Sequence, residues 1–211
     1  SNHLANDPEH EIRKEIAKSW PNHAYLIHNL ETGGHNPQLG KDHLVQDYSL
    51  SYAGPSEYFF ELAENRRSFA AKMQTGNSHE DATVPYLPVP GILYERYKNL
   101  RKIDCCAVMQ CWYFGNYPGV MNEAAGKLAY EDFSGTEEDF LKSLAAPAWG
   151  KDYPAVLNAW KYFADGYSNY PLDIQFQYYG PMHDGPVWPL HLKQVLRQLP
   201  RAWKPDYEPA G

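Results

Sequence analysis

In the run "KMQTGNSHE" (72–80) the side chains turn from apolar to hydrogen-bonding within a few positions. Gln74, Asn77, His79 and Glu80 bring two amides, an imidazole and a carboxylate to the end of a strand-like segment. Such groups bind sugar hydroxyls, and a carboxylate there can also move a proton or attack an anomeric carbon. Glycoside hydrolysis needs two carboxyl groups across the scissile bond, so Glu80, Asp47 and Glu31 are the candidate catalytic residues. Glu80 leads, because His79 beside it can tune its ionisation or hold a hydroxyl. Asp47 lies within an expected strand, where a carboxylate is costly unless paired. Glu31 is followed by Thr32 and two glycines.

Other residues could complete a sugar site. Trp112 and Tyr113 lie near the end of the apolar run "CCAVMQCWYFG", with Asn116 just beyond it. They offer rings to stack under a sugar and an amide to bind it. His183 and Asp184 lie in "YYGPMHDGPVWP" (178–189) and would join the same rim if that loop folds back. Each has a plainer reading: a surface cap for Glu80, core rings for Trp112 and Tyr113, a Gly/Pro loop with Asx turns for His183 and Asp184. His28, His35 and His43 read as loop or core histidines.

Composition narrows the classes. Hydrophobic residues make up 43% and charged residues 21%, which marks a globular chain. A net charge of −7 without a basic cluster argues against nucleic-acid binding through phosphates. No apolar run approaches the roughly 20 residues that span a bilayer. The opening Ser-Asn without Met reads as a cleavage scar, so the natural N-terminus is expected upstream. Cys105, Cys106 and Cys111 are too clustered and too odd in number for a disulfide framework. They read as buried thiols, the adjacent pair on opposite faces of a strand, and favour a reducing compartment such as the cytoplasm. With 17 Tyr and 6 Trp the chain is unusually aromatic, which suits flat polar ligands as well as a packed core. Metal-ligand spacing and nucleotide-binding fingerprints are absent, so no metal or cofactor is expected.

The elements that must position these residues alternate. Asp7 and Pro8 start a helix with Ile12 and Ile16 one turn apart. A strand within 23–34 runs into Gly33-Gly34, a second covers 45–54, a third 68–76 and a fourth 105–115. Ser56 caps a helix striped by Tyr58, Phe59, Leu62 and Ala63, and Leu93, Tyr97 and Leu100 stripe the next. "KMQTGN" and "VMQCWYFGN" form a faint repeat one β/α unit apart. Beyond residue 118 helices dominate: Thr136 with Asp139 opens one to about Leu144, and Asp152 opens another, striped by Val156, Leu157, Trp160, Phe163 and Ala164, to Gly166. A long loop over 167–190, a helix over 190–199 and a frayed tail complete the chain. Strand and helix in alternation give an α/β fold whose site lies at the C-terminal strand ends. About four parallel strands make half of a (β/α)8 barrel, which needs about 250 residues; the alternatives are a small open α/β sheet, or a fragment whose other half is a separate chain. The expected organisation is therefore half-barrel units over 1–118 and a helical extension over 119–211.

"KMQTGNSHE…VPYLPVPGILYERY" (72–97), "VMQCWYFGNYPG" (108–119) and "AWKYFADGYSNYP…FQYYGPMHDGPVWPLHL" (159–192) resemble the C-terminal part of a group of large bacterial (β/α)8-barrel proteins related to glycoside hydrolases. The resemblance spans roughly residues 24–195. It implies that the strands here are barrel strands five to eight and that Glu80, after the seventh, is the nucleophile candidate. Trp112, near the end of the eighth, would then face the sugar. It also implies that the partner acid lies outside this chain, so the fragment alone is inactive. The expected partners are a carbohydrate substrate and either the missing half of the barrel or a second copy. Two rivals stand beside this reading: a non-catalytic carbohydrate-binding or interaction module, and an amide or ester hydrolase using Cys111, whose apolar setting argues against it.

Overall fold

The computed structural model of the chain describes residues 11–38, 40–45, 50–64, 68–75, 87–103, 105–111, 119–131 and 133–169. Helix α1 (Glu11–Ser19) leads into β1 (Leu26–Asn29), a hairpin of β2 (Gly34–Gln38) and β3 (Lys41–Val45), and α2 (Glu57–Ala63). Then come β4 (Phe69–Gln74), α3 (Pro90–Arg101), β5 (Ala107–Cys111), α4 (Val120–Tyr130), α5 (Glu137–Trp149) and α6 (Tyr153–Ser168). Strands β1, β4 and β5 form a parallel sheet in the order β1-β4-β5, so the chain is α/β.

Among the described residues the parallel sheet has three strands where about four were expected. Of the strand expected over 45–54, residues 46–49 lie outside the described residues. Val45 ends β3, and residues 50–54 are not a strand. Their backbone acceptors go elsewhere: Arg96 donates to the carbonyl of Tyr52, and Asn99 to that of Gly54. The antiparallel β2–β3 hairpin occupies a stretch to which the sequence assigned no element. Its turn carries Gly40 at φ +77°, a conformation that hairpin turns use. A two-stranded ribbon offers Pro37 an edge position.

The helices follow local rules. Ser56 caps α2 by accepting from the Phe59 amide, and its hydroxyl donates to the Thr32 carbonyl. Pro90 opens α3, whose Leu93, Tyr97 and Leu100 are buried. Thr136 and Asp139 form a reciprocal capping box at α5. That helix runs past Leu144 and Pro147 to Trp149, where Gly150 at φ +53° ends it. In α6 Leu157 and Trp160 are buried, whereas Phe163 is exposed. Helix α1 is held by Ala17 and by a Lys14–Glu61 ion pair of 2.8 Å, leaving Ile12 and Ile16 exposed. Its expected cap, Asp7 and Pro8, lies outside the described residues, as do the loop and helix expected beyond Asn169.

One hydrophobic cluster joins Phe59 and Leu62 of α2, the sheet, α3 and the helices α4 to α6. Strand alternation and register show which side of the sheet enters it. Leu26, Phe69, Ala71, Met73 and Val108 share one face and all belong to the core or rest against it. Ile27, Ala70, Ala107 and Met109 share the other face. There Ile27 is 48% and Met109 51% exposed. The faint repeat is therefore not a structural one: Met73 pairs with Gln110, and Met73 and Met109 point to opposite sides. No helix among the described residues is long and apolar enough to cross a membrane.

Replacing Ser56 by Ala removes a cap and a buried hydrogen bond together. The expected loss is about 1–2 kcal/mol in urea unfolding. A change near zero would show that the Ser56 hydroxyl contributes nothing to the join between β1 and α2.

Candidate functional site

At the C-terminal end of the sheet, polar groups are buried together. Asn29 closes β1 and Gln74 closes β4, with Glu31, Thr32 and Thr75 just beyond them; all five are buried. The organiser is Arg96 of α3, whose side chain is 0% exposed beside a Glu31 side chain at 1%. Arg96 Nη1 donates to Glu31 Oε1 at 2.9 Å and to the Gln74 carbonyl at 3.0 Å, while Nη2 donates to the Tyr52 carbonyl at 2.6 Å. The Gln74 amide also points at Glu31 Oε1, at 3.4 Å. One guanidinium thus ties together the ends of β1 and β4 and the segment before α2. Its planar fork suits this task, and a lysine could not serve three acceptors in fixed directions.

The sequence folds this way for local reasons. Gly33, at φ +80°, turns the chain after Glu31, and its amide donates to the Val45 carbonyl at 2.9 Å. Gly34 leaves room for the Tyr52 ring, since a Cβ there would lie 2.6 Å from it. The Ser56 amide donates to the Leu30 carbonyl at 3.0 Å. Burial pushes the Tyr52 phenol above its ordinary value, with the Glu57 and Glu31 charges adding to the effect and Arg96 opposing it. The neutral phenol therefore supports folding below pH 10.0, and that support fades as pH rises through the raised value. Thr75 Oγ1 is buried without a hydrogen-bond partner among the described residues. On the hairpin, Gln38 Nε2 donates to the Ser168 carbonyl at 2.7 Å, which brings the end of α6 beside β2.

Of the residues singled out from the sequence, Glu31 and Gln74 meet in this cluster. Glu31 is buried and paired with Arg96 at 2.9 Å. Gln74 lies on the face of the sheet opposite the core, as does Asn29. Glu80, Asp47, Asn77, His79, Trp112, Tyr113, Asn116, His183 and Asp184 lie outside the described residues. His35 pairs with Asp42 across the exposed hairpin, Nδ1 to Oδ2 at 2.6 Å. His28 Nδ1 contacts the neighbouring Asn29 carbonyl at 2.9 Å.

Arg96 escaped the reading of the sequence although a signal was there. It sits three residues after Leu93 and four before Leu100, on the helix stripe that faces the core. An arginine on such a stripe demands a buried acid, and Glu31 after the first strand is that acid.

No group of three or more metal-binding side chains occurs among the described residues. Compared with known family models, with curated proteins and with solved structures, the chain matches none.

Removing one member of a buried ion pair strands the other charge, so Arg96→Leu should cost about 3–5 kcal/mol in urea unfolding. Glu31→Gln should cost less, about 1–3 kcal/mol, because Arg96 keeps two carbonyl acceptors. The double variant should lose clearly less than the two single losses added together. Strict additivity would mean that the two side chains do not act as a unit.

Proposed function

We propose that the chain is the C-terminal half of a (β/α)8 glycoside hydrolase, whose sugar site lies at the C-terminal strand ends. The observation that carries this reading is the one-sided sheet. Open parallel sheets are normally covered by helices on both faces. Here the core residues lie on one face, while on the other Ile27, Ala107 and Met109 are exposed around a buried Ala70 and a half-buried Lys72. The inner face of a (β/α)8 barrel has that character, because the remaining strands of the barrel cover it. The exposed Ile12 and Ile16 of α1 fit the same account, as a helix surface that a preceding β/α unit would meet.

On this reading the amides of Asn29 and Gln74 stand at the top of the barrel interior, where substrate hydroxyls bind. The unpartnered Thr75 hydroxyl beside Gln74 suits the same polar ligand. Glu31, neutralised by Arg96, holds this rim in shape. Glu80 is the nucleophile or base, and Asp47 is the secondary carboxylate. His79, Asn77, Asn116, Tyr113, His183 and Asp184 contribute hydroxyl contacts, and Trp112 stacks on a ring. The two carboxyl groups of the reaction come together when the other half of the barrel joins. That the described rim carboxylate is consumed by an ion pair favours, as the alternative, a module that binds sugar without cleaving it.

The test is hydrolysis of a panel of aryl glycosides and oligosaccharides by the complete protein that carries this chain, with Glu80→Gln alongside. Turnover on one sugar, lowered about 10²–10⁴-fold by Glu80→Gln with folding intact, is the expected result. Turnover untouched by that change would remove Glu80 from the chemistry. Sugar binding with no turnover on any substrate would select the binding module.

A further inference from the structure

Cys105 and Cys106 do not sit where the sequence places them. Strand β5 begins at Ala107, so the pair precedes the pleat and is not split between its faces. Both sulfurs instead lie within reach of the Phe69 carbonyl at the start of β4, and Cys105 Sγ also contacts the Ala107 carbonyl at 3.2 Å. Cys106 Sγ lies 2.9 Å from that oxygen and Cys105 Sγ 3.6 Å, so the sulfurs can be no further apart than these two distances laid end to end. The Cys106 amide donates to the same oxygen at 3.0 Å, which fixes the backbone between the two thiols. Nor is the pair buried: Cys106 is exposed and Cys105 partly so.

The two thiols open into a groove of about 750 Å3 between α3, β5 and α4. Its volume is that of a small-molecule site. Its walls are mostly polar. Gln110 Nε2 donates to the Tyr97 hydroxyl at 2.9 Å, and Asn122 across from it has Oδ1 without a hydrogen-bond partner among the described residues. Tyr130 completes the outer wall. The cysteine end of this groove lies just before β5, at the opposite end of the sheet from the Glu31–Arg96 cluster, and the groove runs along β5 to Gln110.

We propose that Cys105 and Cys106 form a thiol–disulfide exchange site for low-molecular-weight disulfides, with the polar half of the incoming molecule seated in this groove. Cys106, the exposed member, attacks as its thiolate one sulfur of the small disulfide. A protein–ligand disulfide forms, the ligand's own S–S bond breaks, and one small thiolate leaves. Cys105, deprotonated in turn, attacks the Cys106 sulfur, forms a Cys105–Cys106 disulfide and expels the second small thiolate. The two thiolates released take up the two protons given by the cysteines. Two protein thiols are oxidised and one small disulfide is reduced, so atoms and electrons balance. Adjacent residues on a trans peptide hold their Cα atoms about 3.8 Å apart. That is closer than the spacing of ordinary disulfides. Such a bond is strained and easily reduced, the property of a reversible modification and not of a structural crosslink.

The experiment treats the full chain with glutathione disulfide and tracks its intact mass and peptide map, with Cys111→Ser in every variant. The protein retaining Cys105 and Cys106 should lose two hydrogens with the new bond mapped to 105–106, and dithiothreitol should restore it. Cys105→Ser should stop at the mixed disulfide, one glutathione on Cys106, and this trapped adduct is a gain of signal that misfolding does not imitate. Cys106→Ser, with an unchanged thermal melt, should lose the reaction. An unmodified parent overturns the proposal, as does a mixed disulfide that persists with Cys105 present. A Cys105→Ser protein without adduct overturns it too. So does a reaction that proceeds only when Cys111 is restored.

Discussion

The fold at its functional end depends on one buried charge. Arg96 carries its guanidinium into a buried site and finds there one carboxylate and two backbone carbonyls, contributed by three separate stretches of chain. Taking both charges out of water costs several kcal/mol for each ion, and the attraction between them returns this only with good geometry and further hydrogen bonds. A buried pair of this kind therefore adds little net stability. What it adds is definition, since the acceptors must stay where they are or leave a charge unsolvated. The end of β1, the segment before α2 and the end of β4 are held in one arrangement because a single side chain needs all of them.

The rest of the molecule is arranged around that end. Helix α3 supplies Arg96 and, from the same stripe, Leu93, Tyr97 and Leu100 to the core. Its other sides meet α4, α5 and α6, with Tyr94 stacked on Phe140 at 5.7 Å and its hydroxyl bonded to the Gly135 carbonyl at 2.8 Å. Arg101 at its C-terminal end donates to the carbonyls of Leu128, Glu131 and Phe133, and so ties the end of α4 to the same helix. One helix thus links the sheet, the polar rim and the C-terminal helices. The sheet meets the core on the side that faces this helix, and on its other side Ile27, Ala107 and Met109 are exposed among the described residues.

Features set by neighbouring residues were legible in the sequence. The Ser56 cap, the Thr136–Asp139 box and the stripe of α3 each depend on a few positions, and all stand in the structure. Features set by distant residues were not. Residues 50–54 have strand-like composition, but β-propensity is mostly a matter of surroundings, and here Arg96 and Asn99 take the acceptors a neighbouring strand would have used. The cysteine pair was expected inside the fourth strand, but β5 begins two residues later, at Ala107, which leaves Cys106 exposed and Cys105 partly so. Glu31 was singled out as a special carboxylate, but its ion pair with Arg96 was not foreseen, because that partner lies 65 positions away.

The central claim is that Arg96 locks the strand ends into one rigid unit, and native-state hydrogen exchange at the Gln74, Ser56 and Gly33 amides tests it most directly. Each of these amides donates within or beside the cluster. If Arg96 is the lock, all three exchange with the free energy of global unfolding and move together across a denaturant series. Exchange at these amides by local opening, far faster than at the core of β4 and insensitive to denaturant, would contradict it.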